Sequence, residues 1–289
     1  MKRMLHRAVM AGVIALGWVA GAAAWAASPK VIHTEPSQFS PVVVYEAYGE
    51  RCMTFGSVEA LGRKTCYALD NPQRMVFNYT RMMMGALFVN PAPKRILIVG
   101  LGGGTLPSAL AALLPQAEID VVEIDPAVLR VAEDYFRFAP SPRLRVHAAD
   151  GRAYVEQMVR EKRQYDLVML DAFDFNYIPR HLMTQEFLEQ TKRILAPNGV
   201  LAANTFASSD LFDQESATYA AVFGQYLNLR ANNRVIFAVN GVLPDAKQRQ
   251  SNASRWQAPL VPYGVDIEAG LSLVEGVPAW PANTQVLKD

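Results

Sequence analysis

From Arg95 onward, apolar runs of strand length alternate with stretches in which apolar residues recur every three or four positions. The runs lie at 95–100, 118–125, 144–149, 165–171 and 199–206; the helix-period stretches lie at 105–114, 126–136, 151–162, 184–195 and 215–227. That order predicts an α/β domain built on a doubly wound parallel sheet, with a further strand at 229–240. The runs are continuously apolar, as strands covered by helices on both faces must be. Pro107 falls in a first helical turn, where its missing N–H costs nothing.

Upstream the rhythm is shorter. VVVYEAY, RCMTF and KTCYAL, separated by Gly, Asn and Pro, predict short strands of a small N-terminal β domain over residues 27–90. A helix over 75–88 closes it, its methionine run reading as core filling. The prolines of NPAPK place a boundary near residue 91, so the α/β domain spans 91–240. Residues 241–289 are Pro-rich and aperiodic, and predict an irregular C-terminal extension with a short helix or strand.

Composition adds the setting. With 289 residues, 51% of them hydrophobic, the chain can bury a substantial core in one or two domains. MKRMLHR precedes an apolar run that closes on Ala24-Trp25-Ala26, the layout of a signal peptide (residues 1–26) cleaved after Ala26; the rival is an uncleaved anchor over Ala8–Ala27. Either way the basic end stays inside and the rest is exported, periplasmic when cleaved. Losing Lys2, Arg3 and Arg7 takes the formal charge from +1 to −2, and no basic patch marks a nucleic-acid partner. An oxidising compartment favours a disulfide between the only two cysteines, Cys52 and Cys66, against two unpaired buried thiols. Two cysteines and four scattered histidines do not make a metal site.

In an open parallel sheet, ligands bind beyond the carboxyl ends of the strands. After the first strand of the α/β domain comes Gly100-Leu101-Gly102-Gly103-Gly104-Thr105, suited to close backbone approach by a ligand, or merely to a tight turn. Glu123 ends the second strand, with Asp125 two residues on, where a carboxylate can accept both hydroxyls of a ribose. Asp150-Gly151 follows the third strand; the acid can accept from an adenine amino group while Gly leaves space for the ring, or Asp150 simply caps a helix. Together these predict an adenosine site. Asp171 ends the fourth strand beside the reactive end of such a ligand, with Asp174 three residues later; the alternative is that both are solvated turn caps. A carboxylate there can take a proton from an ammonium so that its nitrogen becomes nucleophilic, and a second carboxylate can hold the cation.

The series GLGGGTLPSAL, VVEIDPAVLRVAEDYF, RLRVHAADGRAYV and YDLVMLDAFD resembles the spermidine synthase family of polyamine aminopropyltransferases across residues 40–240. The resemblance implies a Rossmann-like, methyltransferase-type sheet and transfer of an aminopropyl group from decarboxylated S-adenosylmethionine to putrescine, releasing methylthioadenosine. It implies no tightly bound cofactor, and a homodimer or larger assembly. By it Glu123 holds the ribose, Asp150 and Gly151 the adenine, Pro179 lies in a loop over the nucleoside, Asp171 is the base, and Asp174 and Tyr79 bind the amine. Three positions depart from the family pattern. Gly103 stands where the glycine loop carries an Asp that grips the donor amine, Tyr79-Thr80-Arg81 replaces Tyr-His/Gln-Glu, and the nucleoside-binding Gln is matched by either Gln38 or Ser40. Two other readings therefore stand beside aminopropyl transfer: an S-adenosylmethionine-dependent methyltransferase, and an exported, non-catalytic nucleoside- or polyamine-binding protein. No GxSxG elbow supports a hydrolase.

Overall fold

The structure, a computed structural model, describes residues 29–58, 63–173 and 177–289; the signal peptide expected at residues 1–26 and Asp174 lie outside the described residues. The chain begins with an antiparallel four-stranded sheet in sequence order, β1 (Lys30–Glu35), β2 (Val42–Ala47), β3 (Glu50–Phe55) and β4 (Thr65–Ala68). The sequence gives no sign of β1, because KVIHTE lacks a clean two-residue alternation and its pairing with β2 is interrupted by a bulge between Val31 and His33. The β3–β4 register sets Cys52 opposite Cys66, and the two form a disulfide.

The single helix expected at 75–88 is two short ones, α1 (Asn78–Met83) and α2 (Ala86–Val89). The chain tightens between them, the Gly85 N–H donating to Met82 O at 2.9 Å, and a Cβ at Gly85 would lie 3.0 Å from the Phe237 ring. The methionines here are core: Met82, Met83 and Met84 are all buried.

The α/β domain then runs β5 (Arg95–Val99), α3 (Thr105–Leu113), β6 (Glu118–Glu123), α4 (Pro126–Tyr135), β7 (Leu144–Ala148), α5 (Gly151–Glu161), β8 (Tyr165–Leu170), α6 (Gln185–Ile194), β9 (Leu195–Phe206), α7 (Phe212–Phe223), β10 (Tyr226–Arg230) and β11 (Asn233–Val239). Strands β5 to β9 pair in parallel. The sheet is nonetheless mixed, because the stretch read as one strand at 229–240 is the second half of a hairpin: β10 and β11 pair antiparallel, and β11 runs antiparallel to β9. The predicted helix at 215–227 stops at Phe223, since Gly224 takes a left-handed φ of 74° and Tyr226 already belongs to β10.

The C-terminal extension is more regular than its composition suggests. Asp245 and Asp266 cap α8 (Ala246–Ser254) and α10 (Ile267–Ser272), with α9 (Gln257–Leu260) between them. β12 (Val274–Glu275) then pairs with β10, completing the sheet order β12-β10-β11-β9-β8-β5-β6-β7.

Alternation along the strands builds two cores. Ile96, Ile98, Val121 and Met169 face α3 and α4, whereas Leu97, Val99, Val122 and Val168 face α5, α6 and α7. Each such side chain is fully or almost fully buried, contributing about 2 kcal/mol. The N-terminal sheet docks on α4: Ser37 Oγ donates to Asp125 Oδ2 at 2.5 Å, Arg51 Nη1 to Tyr135 O at 3.2 Å, and Arg130 pairs with Glu35 at 2.7 Å. Strand order reverses at β5, which lies between β6 and β8, and a parallel sheet opens its ligand crevice at such a point.

Candidate active site

A cavity of about 490 Å³ opens beyond the carboxyl ends of β5, β6, β7 and β8, roofed by Phe39, Phe55 and Thr65 from the N-terminal region. Its volume lies within the ordinary range for small-molecule sites.

Glu123, the last residue of β6, lines it. The Leu101 N–H donates to Oε2 and the Asp125 N–H to Oε1, both at 3.0 Å, so each oxygen keeps an acceptor direction for a ligand hydroxyl. Burial pushes the Glu123 carboxyl above its usual value, opposed by those two backbone donors. Asp125 lines the cavity as well, but its Oδ1 accepts from the Ala127 N–H and caps α4.

Asp150 is both helix cap and cavity wall. Oδ1 accepts from the Ala153 N–H at 3.0 Å, and Oδ2 lies 2.8 Å from His181 Nε2. Burial pushes the carboxyl up, but those two partners outweigh it and leave Asp150 below its usual value. Gly151 lines the cavity, yet its missing Cβ does not leave open space: a Cβ would lie 2.5 Å from Val99 Cγ1. Close packing of α5 on β5 is what requires Gly there.

The glycine loop divides. Gly100 and Gly102 line the cavity; Gly103 and Gly104 do not. At Gly100, φ is 101° and a Cβ would lie 2.4 Å from Asp171 O, because the ends of β5 and β8 converge here. A Cβ at Gly103 would meet Phe136 at 2.8 Å and Thr65 at 2.9 Å, so its place is filled by the N-terminal sheet and by the residue after α4. An Asp there would have no room to reach a donor.

Asp171 follows β8 and faces the cavity with Tyr79, from α1. Asn204 Nδ2, from β9, donates to Asp171 Oδ1 at 2.9 Å. Burial raises the Asp171 carboxyl to about 7, against the hydrogen bonds from Asn204 and Tyr79. Burial, with Asp171 beside it, pushes Tyr79 well above its ordinary value, so the phenol is a donor at all physiological pH. Pro179 lines the rim beside His181, whereas Asp174 is outside the described residues.

Two departures from the family pattern acquire a geometry. Arg81 is not in the cavity wall: Nη1 donates to Met75 O at 3.0 Å, and Nη2 reaches Asn78 Oδ1 at 3.4 Å. Of Gln38 and Ser40, Ser40 lines the cavity. Sequence reasoning missed His181 and Asn204, which set the positions of Asp150 and Asp171. It also missed Phe39, Phe55 and Lys64, whose place in the wall depends on how the N-terminal sheet docks. Among the described residues the wall carries four carboxylates, Glu123, Asp125, Asp150 and Asp171, against Lys64 and His181, an environment that favours a cationic ligand.

Comparison with known proteins agrees in family and fold. The profile of the spermine/spermidine synthase domain matches residues 76–235. A polyamine aminopropyltransferase of Vibrio vulnificus is 42% identical over 264 residues, covering 90% of this chain and 88% of that one. The solved structure of a probable spermidine synthase from Corynebacterium glutamicum superposes with a TM-score of 0.68 at 21% identity, covering 89% of this chain and 96% of that chain. Human methyltransferase-like protein 13, solved in complex with SAH, gives a TM-score of 0.58 at 31% identity, covering 64% of this chain and 93% of that chain.

Proposed function

From the premise that this chain belongs to the spermine/spermidine synthase family, we propose that it is an aminopropyltransferase, moving the aminopropyl group of decarboxylated S-adenosylmethionine to a polyamine such as putrescine and releasing methylthioadenosine. The observation that carries this reading is Asp171, a buried carboxylate at the strand end of the cavity, raised to about 7 and held by two hydrogen-bond donors.

The amine arrives protonated. Asp171 accepts one ammonium proton, the freed nitrogen lone pair attacks the methylene carbon beside the sulfonium, and the C–S electron pair returns to sulfur, leaving neutral thioether. A base near 7 is matched to this task, since a carboxylate at 3.8 would hold the proton too weakly at neutral pH. Glu123 and Ser40 are the groups we assign to the ribose, with Asp150, Gly151 and Pro179 around the base. Tyr79 donates to Asp171 and orients it, and Asp174 is the second amine ligand.

Methyl transfer is the second reading, favoured by the glycine loop: Gly103, outside the cavity wall, supplies no acid to grip a donor's aminopropyl nitrogen or to repel the carboxylate of intact S-adenosylmethionine. Calorimetric titration with methylthioadenosine, S-adenosylmethionine and its decarboxylated form separates the two. We expect the decarboxylated donor to bind and to yield an elongated polyamine. Preference for intact S-adenosylmethionine, with a methylated product, overturns aminopropyl transfer, and binding without turnover of either donor supports the non-catalytic alternative.

We further propose export to the periplasm. The leader pattern and the Cys52–Cys66 disulfide support it.

A further inference from the structure

Next to the main cavity, with Val99, Ala172 and Leu182 in the walls of both, lies a void of about 20 Å³; its wall is largely apolar but includes Asn204, Thr205, Glu215 and Tyr219. Two of these wall residues each carry a buried oxygen with no hydrogen-bond partner, Asn204 Oδ1 and Glu215 Oε2. Both residues are nearly inaccessible, at 3% and 2% exposed. Their other atoms are committed. Asn204 Nδ2 donates to Asp171, and Glu215 Oε1 accepts from the Tyr177 hydroxyl at 2.5 Å. Arg234, itself fully buried, stands 3.8 Å from Oε2, too far for a hydrogen bond, with its guanidinium directed to Asn228 Oδ1 and Ser216 Oγ at 2.9 Å each. An orphaned buried acceptor is costly, so two of them on residues lining one space of water size mark a place for a bridging donor.

We propose that this void holds one water, donating one hydrogen to Asn204 Oδ1 and the other to Glu215 Oε2, and that Glu215 is thereby a positioning residue for Asp171. An Asn side chain can present either its amide nitrogen or its oxygen to a neighbour. Water seated on the oxygen fixes the orientation in which nitrogen faces Asp171, the one that favours the carboxylate. Glu215 fixes the water, and Tyr177 with Arg234 fixes Glu215. The network thus ties the base to α7, to β11 and to the segment just after Asp174. The inference rests on the reading of Asp171 as base.

The groups facing the two carboxyls bear on its pH behaviour. Among the described residues, Tyr79 and Asn204 face Asp171; Tyr177, Arg234, Tyr219 and Tyr226 surround Glu215, whose carboxyl burial pushes up to about 7 against Tyr177 and Arg234, so the water meets its carboxylate form above that pH. With Asn204→Leu the acid limb of the kcat/KM profile moves to higher pH by about one unit, because the carboxylate loses a donor. Glu215→Met, which removes the water's second anchor, moves the limb the same way, the double variant moves it no further than either single one, and Glu215→Gln restores it. A Glu215→Met protein that still binds methylthioadenosine but keeps the wild-type limb overturns the role of Glu215. Should Glu215→Met fail to fold because Arg234 is left unpaired, a high-resolution crystal structure of the wild-type protein decides: a water about 2.8 Å from both oxygens supports the proposal, and a dry void overturns it. That crystallographic result does not depend on turnover, so failure of the base assignment is read separately, from wild-type transfer to any amine.

Discussion

A carboxyl held near pH 7 by burial serves proton transfer and works against the fold, and Asp171 carries both consequences. Its folded value lies above the ordinary 3.8, so between about 4 and 7 the native state binds the proton that the unfolded chain has released. Stability from this group is therefore present at low pH and is lost as pH rises through about 7. Asp171→Asn should abolish transfer, with a loss of at least ~10²-fold, and at pH 8 should raise the melting temperature above wild type, the gap closing by pH 4. Equal melting temperatures at pH 8 would show the carboxylate to be well solvated. Gly103 sets a second test. Replacing it by Asp, as the family pattern invites, should lower stability by about 1–3 kcal/mol without tightening donor binding, because Phe136 and Thr65 already occupy that space; differential scanning calorimetry and titration with the donor check both halves. The strand-end carboxylates Glu123, Asp150 and Asp171 are legible in sequence because a parallel sheet aims its ligand at those positions. Asn204 is not, since inside the apolar run GVLAANTF nothing marks which neighbour its amide meets.

The disulfide acts on an element rather than a residue. Cys52 and Cys66 close a 14-residue separation between β3 and β4, and both are 2% exposed. Phe55, Lys64 and Thr65, at the ends of those strands, line the cavity, so the bridge holds part of the roof. Cys52→Ser should cost about 3 kcal/mol of stability on loop-closure grounds, and raise KM more than it lowers kcat, because the roof binds substrate without touching the proton being moved. An unchanged KM would separate the bridge from the site. At this scale the sequence is informative wherever burial is two-sided. β5 and β8 are read within a residue from their apolar runs, and β6 within two. The hairpin of β10 and β11 is misread because both strands are apolar and only the Asn232-Asn233 pair marks the turn between them. The helix pair at 78–89 is misread because the break at Gly85 answers to the Phe237 ring, which the local pattern cannot reveal.

For the whole molecule, the proposed signal peptide and the disulfide bear together on location. A thiol pair in a reducing cytoplasm stays open, whereas an exported chain meets an oxidant before or as it folds. If export is correct, the protein recovered from fractionated cells lies in the periplasm, has the mass of a chain beginning at Ala27, and resists thiol alkylation until it is reduced. An uncleaved anchor would give the same oxidised pair with full mass in the membrane fraction. Cytoplasmic recovery with both thiols alkylated would overturn export and would also weaken the roof: without the bridge the β3–β4 hairpin depends on four paired positions and on Thr65 packed against the glycine loop. Location thus reaches the chemistry through structure. A chain made in the cytoplasm without residues 1–26 should bind methylthioadenosine more weakly than the same chain after oxidation, and equal affinities would show that the N-terminal sheet keeps the cavity roofed without its bridge.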